Sequence, residues 1–171
     1  MKNIFITGRP GVGKTTLIKK LAGFYGKSAG GFYTQEVKRN KERMGFDIIA
    51  LSGEKGRLAR GDYRSKFRLG KYGVNLADLE RVGLKAMDEA IEAKEIVVID
   101  EIGKMELFSQ SFKDKVVESL NSPKKVLAVI SLAGDEFVEG LKICPRVKMF
   151  RLTRDNSEEI YGEIVKTWEK K

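Results

Sequence analysis

The 171 residues contain no histidine. That absence removes Ser-His-Asp and Cys-His nucleophilic chemistry and every imidazole-bound metal. Any catalysis must run on carboxylates, lysine, arginine, hydroxyls, backbone amides or a hard cation. Cysteine is nearly as scarce. The lone Cys144 has no partner for an intramolecular disulfide and reads as a small core residue. Long apolar runs are missing too. "IVVI" and "VLAVI" are strand-length, well short of the ~18 residues of a membrane span. The apolar stretch in "MKNIFITG" is too short for a signal peptide. A soluble, cytoplasmic protein without a membrane partner is expected, folding as one domain over 1–171.

Charge, by contrast, is plentiful. Charged residues make up 33% of the chain, against about 25% in an average domain. The net charge of +9 attracts polyanions, nucleic acid and nucleotide phosphates among them. The basic residues are scattered rather than clustered with aromatics, so nucleic acid is a possible but not the favoured partner. A Lys/Glu-rich composition also resembles that of thermophile proteins, which carry surface ion-pair networks.

Along the chain, "NIFIT" (3–7) reads as a buried strand. A glycine-rich loop and a helix, "TTLIKKLAGF", follow. Residues 28 to about 75 form a β-rich insert, with "GGFYTQEVK" and "GFDIIALSG" paired as a hairpin across "RNKERM" and "SKFRLGKYGVN" adding a strand. Leu76, Leu79, Val82, Ala86 and Ala90 recur at helical spacing and form a core face. Beyond them strands and helices alternate: "EIVVID", a helix capped by Ser109 or Ser111, "KVLAVIS", the short helix "DEFVEGLK", "VKMFRL", and a last helix capped by Asp155 or Asn156. Apolar strands alternating with helices predict an α/β fold with a mainly parallel sheet covered on both faces, and antiparallel hairpin strands at one edge.

"GRPGVGKT" fits the phosphate-loop pattern G-x-x-x-x-G-K-[ST]. A strand precedes it and a helix follows, as the chemistry requires. Gly8, Gly11 and Gly13 let the backbone curl so that successive N–H groups point at phosphate oxygens at a helix N-terminus, with Pro10 and Val12 as the loop residues between them. Lys14 reaches the β- and γ-phosphates, and Thr15 offers its hydroxyl to Mg²⁺. Thr16 is placed to touch the α-phosphate. Arg9 either steers phosphate or is simply solvated.

"IVVIDEIGKMEL" (96–107) is the second motif. Asp100 ends an apolar strand, where it can hold Mg²⁺ close to Thr15. A hydrolase must aim a water at the γ-phosphate, and Glu101, one residue on, is placed to orient it and take its proton. The alternative is a glutamate capping the next turn. Lys104 can offset charge on the γ-phosphoryl group, or pair with Glu106 and hold the loop. "LTRDN" (152–156) joins the last strand to the last helix, where Arg154 can stack on the base. Thr34 and Glu36 are expected on another rim.

Taken together, "GRPGVGKTT", "GGFYTQEV", "GFDIIAL", "VGLKAMDEAI" and "IVVIDEIGKMELFS" resemble the THEP-type P-loop nucleoside-triphosphatases, a family with a human relative called cancer-related nucleoside-triphosphatase. The resemblance spans essentially the whole chain. It implies a three-layer, RecA-like P-loop fold and Mg²⁺-dependent hydrolysis of several nucleoside triphosphates (ATP, GTP, CTP and UTP) with modest base selectivity; a monomer is expected. It places nucleotide binding on Gly8–Thr15 and on Val98, Ile99, Asp100, Glu101, Ile102, Gly103, Lys104 and Met105. Arg9 departs from the proline or small residue expected there. Two other readings remain: a small-molecule nucleotide kinase, with "RLARGDYRSKFR" (57–68) as a lid or else a solvated β-edge, and an NTP-dependent nucleic-acid-binding module.

Overall fold

The computed structural model describes residues 1–169. Its strands form one nine-stranded sheet in the order β5-β6-β4-β3-β2-β7-β8-β1-β9. Five strands are parallel neighbours: β2 (Ala29–Arg39), β7 (Ile96–Ile102), β8 (Lys125–Ile130), β1 (Asn3–Thr7) and β9 (Val147–Arg151). They are the apolar runs, and their near-continuous burial follows from helices lying on both faces. β8 lies between the strand that feeds the phosphate loop and the strand that ends in the two acids, giving the RecA-like arrangement.

On one face, α1 (Lys14–Tyr25) and α6 (Ser157–Glu169) pack Leu17, Leu21 and Ile164 against Ile4, Ile6, Val98, Leu127 and Val129. On the other face lie α3 (Lys85–Ala93), α4 (Gln110–Asn121) and α5 (Glu136–Lys142), with Met87, Phe112 and Val138 against Phe5, Val97, Ile99 and Ala128. A short α2 (Leu76–Asp78) continues through a π-helical segment (Leu79–Leu84) into α3. The expected apolar face is there: Leu79, Val82, Ala86 and Ala90 are buried and Leu76 is packed at its margin. The π turn is the departure from simple helical spacing.

The antiparallel part is larger than a hairpin at an edge. β2 pairs with β3 (Glu42–Ala50), β3 with β4 (Lys55–Arg60), β4 with β6 (Tyr72–Val74), and β6 with β5 (Arg68–Leu69). The first turn is only Asn40–Lys41, both at positive φ, so the strands run deep into the polar "RNKERM". "RLARGDYRSKFR" supplies an interior strand and the approach to the edge strand. Arg60 is tied inward to Asp47 and to the Phe46 carbonyl, and Arg68 donates to the Lys71 carbonyl. Neither arginine stands over the cleft as a lid would.

One cap matches expectation: Ser109, rather than Ser111, accepts the Phe112 amide at 3.1 Å. Asp135 caps α5 in the same way, accepting the Val138 amide at 3.1 Å. Asn156 differs. Its carbonyl accepts the Ile160 amide, but its side chain turns back, accepting from Thr153 N and donating to Arg151 O. It fixes the 152–156 loop. Cys144 is half-buried against the core. Among the described residues no helix is long and apolar enough to cross a membrane.

Candidate active site

β1 ends at Thr7 and the chain turns into the glycine loop. Gly11 has φ 78° and Gly13 φ 98°, a left-handed backbone that side chains rarely adopt. Gly13 is the N-cap residue of α1, so the loop delivers the first amides of the helix into the cleft without a side chain in the way. Lys14 lies across this loop, donating to the carbonyls of Gly8 (2.9 Å) and Arg9 (3.0 Å). The Arg9 side chain is exposed.

The next residue bridges the two motifs. Thr15 donates its hydroxyl to Asp100 Oδ2 at 2.7 Å across 85 positions of sequence. Asp100 is 1% exposed at the end of β7, joined to Glu101 by a cis peptide bond. Burial pushes its carboxyl up to about 7; the Thr15 hydrogen bond opposes this and the Glu101 charge adds to it. Burial also raises Glu101, against the pull of the Lys14 charge. Gly103 lies under the Glu101 side chain, where an added Cβ would collide with the carboxylate.

A third acid joins them. Glu106 is 3% exposed. Its carboxyl is raised well above the usual range by burial first and then by Glu101 and Asp100, although the amides of Glu106 and Gly103 bond to it. Among the described residues no lysine or arginine nitrogen comes within ion-pair distance of Asp100, Glu101 or Glu106. Lys104 is exposed on the cleft rim rather than paired with Glu106.

A cleft of about 660 Å³ runs over these groups. Gly8, Pro10, Gly11, Gly13, Lys14, Thr15 and Thr16 line one end; Glu101, Lys104, Met105 and Glu106 line the middle. Thr34 and Glu36 face it, as the β2 pattern suggests. Val98, Ile99 and Ile102 are buried within β7 and shape the strand end rather than line the cleft. Arg154 sits on the exposed loop after β9, outside the lining. That loop is nevertheless anchored beside the phosphate loop, since Leu152 N donates to Thr7 O at 2.8 Å.

Sequence reading did not single out Glu106 as a site group, nor Arg43, Phe46, Leu58, Leu69 and Ser131, all of which line the cleft. Ser131 follows a strand whose C-terminal end faces the ligand side of a parallel sheet, which was a usable signal. The other four come from the antiparallel strands β3 to β6, the wing of the sheet, which are distant in sequence, and carried none.

The family model described as NTPase matches residues 3–165. The chain belongs to this NTPase family. It is 48% identical over 162 residues to nucleoside-triphosphatase THEP1 of Thermotoga maritima, covering 95% of this chain and 92% of that one. It is 38% identical over 181 residues to the human cancer-related nucleoside-triphosphatase, covering 96% and 95%. The crystal structure of THEP1 from the hyperthermophile Aquifex aeolicus superposes with a TM-score of 0.89 at 38% identity, over 98% of this chain and 99% of that one. The solution structure of the human protein gives 0.83 at 36% identity, over 99% and 98%. The NTPase fold expected from the two motifs is therefore the fold observed.

Proposed function

We propose that this protein hydrolyses nucleoside triphosphates to the diphosphate and inorganic phosphate with Mg²⁺, as a single-domain monomer of the cytoplasm. One observation carries the reading: Thr15 of the phosphate loop is hydrogen-bonded to Asp100 while Glu101, next in sequence, faces the same cleft. The relatives' names, nucleoside-triphosphatase in each case, support it.

The residues present suit Mg²⁺. Among the described residues no group of three or more His, Cys, Asp or Glu is arranged to hold a metal. Mg²⁺ asks for less, one or two protein oxygens completed by phosphates and water. Thr15 Oγ1 and the desolvated Asp100 carboxylate would hold it. Bound there, it would neutralise charge on the β- and γ-phosphates.

The loop amides and the α1 N-terminus bind the phosphate chain, and Lys14 leaves its loop carbonyls for the β- and γ-phosphates. Glu101 orients a water and accepts its proton as the water oxygen bonds to the γ-phosphorus. The bond to the bridging oxygen breaks, and its electron pair leaves with the diphosphate. Burial raises the Glu101 carboxyl, against the pull of the Lys14 charge, which makes it a stronger base than an exposed carboxylate. Lys104, reaching in from the rim, offsets charge on the transferred group. Arg154 would stack on the base. Thr153, Arg154 and Asp155 of that loop are all exposed. It offers no buried polar groups to reject one base in favour of another, which suits broad use of ATP, GTP, CTP and UTP.

The cleft also supports a second reading. It continues past the acids onto the wing, over Glu36, Arg43, Phe46, Leu58 and Leu69, where a phosphoryl acceptor could bind. One experiment separates the two: phosphate release from each nucleoside triphosphate, with Mg²⁺ and with EDTA, in the absence and presence of hydroxyl-bearing acceptors. Hydrolysis predicts Mg²⁺-dependent release unaffected by acceptors. Phosphorylated acceptor formed faster than phosphate would overturn it.

A further inference from the structure

A second cavity, of about 560 Å³, opens beside the start of β2. It is separate from the phosphate loop and the acids, and shares only Lys19 and Tyr33 with the nucleotide cleft. The cavity exists because β3 stops short. β2 begins at Ala29, but its pairing with β3 begins only at Phe32, opposite Ala50. The Leu51 amide still reaches Gly31 O at 2.8 Å. The chain then turns back, with Gly53 N donating to Ala50 O and Ala50 N to Glu54 O, both at 2.8 Å. Ala29 and Gly30 therefore have β7 on one side and no strand on the other. α1 and α3 flank this gap from the two faces of the sheet, leaving a trough of a size that suits a small molecule.

Its walls are apolar and its rim is cationic. Leu51, Ala22, Ala86 and Ala90 line it, and so do Lys19, Lys27 and Lys94. Among the described residues none of these three lysines has a carboxylate at ion-pair distance. Their neighbours on the same helices do: Lys20 meets Glu158 at 2.6 Å and Lys85 meets Glu54 at 3.3 Å. Lys94 instead donates to the Lys27 carbonyl at 3.0 Å, and Lys19 Nζ lies 4.9 Å from the Tyr33 ring centroid. Glu89 is the one acid in the lining among the described residues, so positive charge is in excess. Unpaired cations on an apolar concavity focus their field into it and draw in an anion.

We propose that this trough binds a small organic anion, its apolar body against Leu51 and the alanines and its acidic group among the three lysines. Because Lys19 also borders the nucleotide cleft, the anion and the nucleotide phosphates draw on the same cation, and each weakens the other. The coupling rests on the nucleotide-binding reading; the site does not.

The probe is 8-anilinonaphthalene-1-sulfonate, an apolar anion that fluoresces in apolar surroundings, titrated beside its uncharged analogue N-phenyl-1-naphthylamine. The variants are Gly23→Leu and the double variant Lys27→Gln with Lys94→Gln. Gly23 lines the trough, and an added Cβ there meets nothing within 4 Å. Leucine should therefore occupy the trough, abolish sulfonate binding, and keep or raise the Tm, since glycine is a poor helix former. The double variant should weaken the sulfonate about tenfold. Saturating Mg·AMP-PNP should weaken it about fivefold and then no further, the ceiling that separates two coupled sites from one shared site. Wild-type sulfonate affinity in Gly23→Leu would overturn the site. Equal affinity for the sulfonate and the uncharged analogue, or an unaffected double variant, would overturn the anion class. Complete displacement by AMP-PNP would place the probe in the nucleotide cleft and contradict the proposal. Failure of AMP-PNP to bind would count against the nucleotide reading alone, and the Gly23→Leu titration would still decide the trough.

Discussion

Asp47 in the wing and Asp100 at the end of β7 are both buried, 6% and 1% exposed, yet their surroundings are opposite. Asp47 is met by Arg60 and by Lys55 at 3.1 Å. Burial pushes its carboxyl up, but the bonds from Arg60 and Lys55 outweigh that and leave it below the ordinary value. Asp100 has a threonine hydroxyl, two neighbouring acids and no cation at ion-pair distance among the described residues, and it rises to about 7. An acid that serves the fold brings its own counter-charges, because an unpaired buried charge is strongly destabilising. An acid that serves a ligand is left without them, and its folded-state cost is offset when the ligand's cation arrives.

Substitutions at the two kinds of acid and around them should behave differently. The largest effect is expected at Lys14, whose Ala substitution should abolish both nucleotide binding, by calorimetry, and turnover. Retained binding would remove the phosphate loop from the account. Asp47→Asn comes next. It leaves Arg60 half-buried without its carboxylate and should cost about 3 kcal/mol, read by denaturant unfolding at pH 7. Asp47 has a depressed carboxyl, so its contribution is present above the unfolded value and fades as pH falls through the folded one.

Asp100→Asn should act in the other direction. Between the unfolded value of 3.8 and about 7, the folded protein holds a proton at Asp100 that the unfolded chain has released. Stability without nucleotide therefore falls as pH rises across that window. Asparagine removes this penalty, so the variant should melt higher than wild type at pH 8, by on the order of a few kcal/mol at most. It should also lose Mg²⁺-dependent turnover. A lower Tm at pH 8 would mean that Asp100 is structural, like Asp47. The smallest effect is expected at Lys104: Ala should lower kcat by more than it raises KM, and a pure KM effect would deny it a part in the transition state.

The parallel half was legible because its signals are local and redundant. "GRPGVGKT" sits between an apolar strand and a helix, and "IVVID" is an unbroken buried run. The antiparallel wing was only half legible. β4 reads "KGRLAR", where just Leu58 and Ala59 are apolar among exposed Lys55 and Arg57 and half-buried Arg60, and β5 is two residues long. Such strands are specified by their neighbours rather than by their own pattern. Glu106 looked like a surface partner for Lys104 because sequence shows proximity along the chain. The turn over Glu106–Phe108 instead sends one residue inward while Lys104 stays out. A serine after a strand is an ordinary turn residue by type, and only the sheet order puts Ser131 between the two motifs.

The most direct test of the account concerns Glu101. Phosphate release and triphosphate affinity should be measured together for Glu101→Gln, a change that keeps size and hydrogen bonding but cannot accept a proton. If Glu101 is the base, kcat falls about 10²–10⁴-fold with affinity within a few-fold of wild type. Unchanged turnover, or binding lost in step with it, would contradict the division of labour between Asp100 and Glu101.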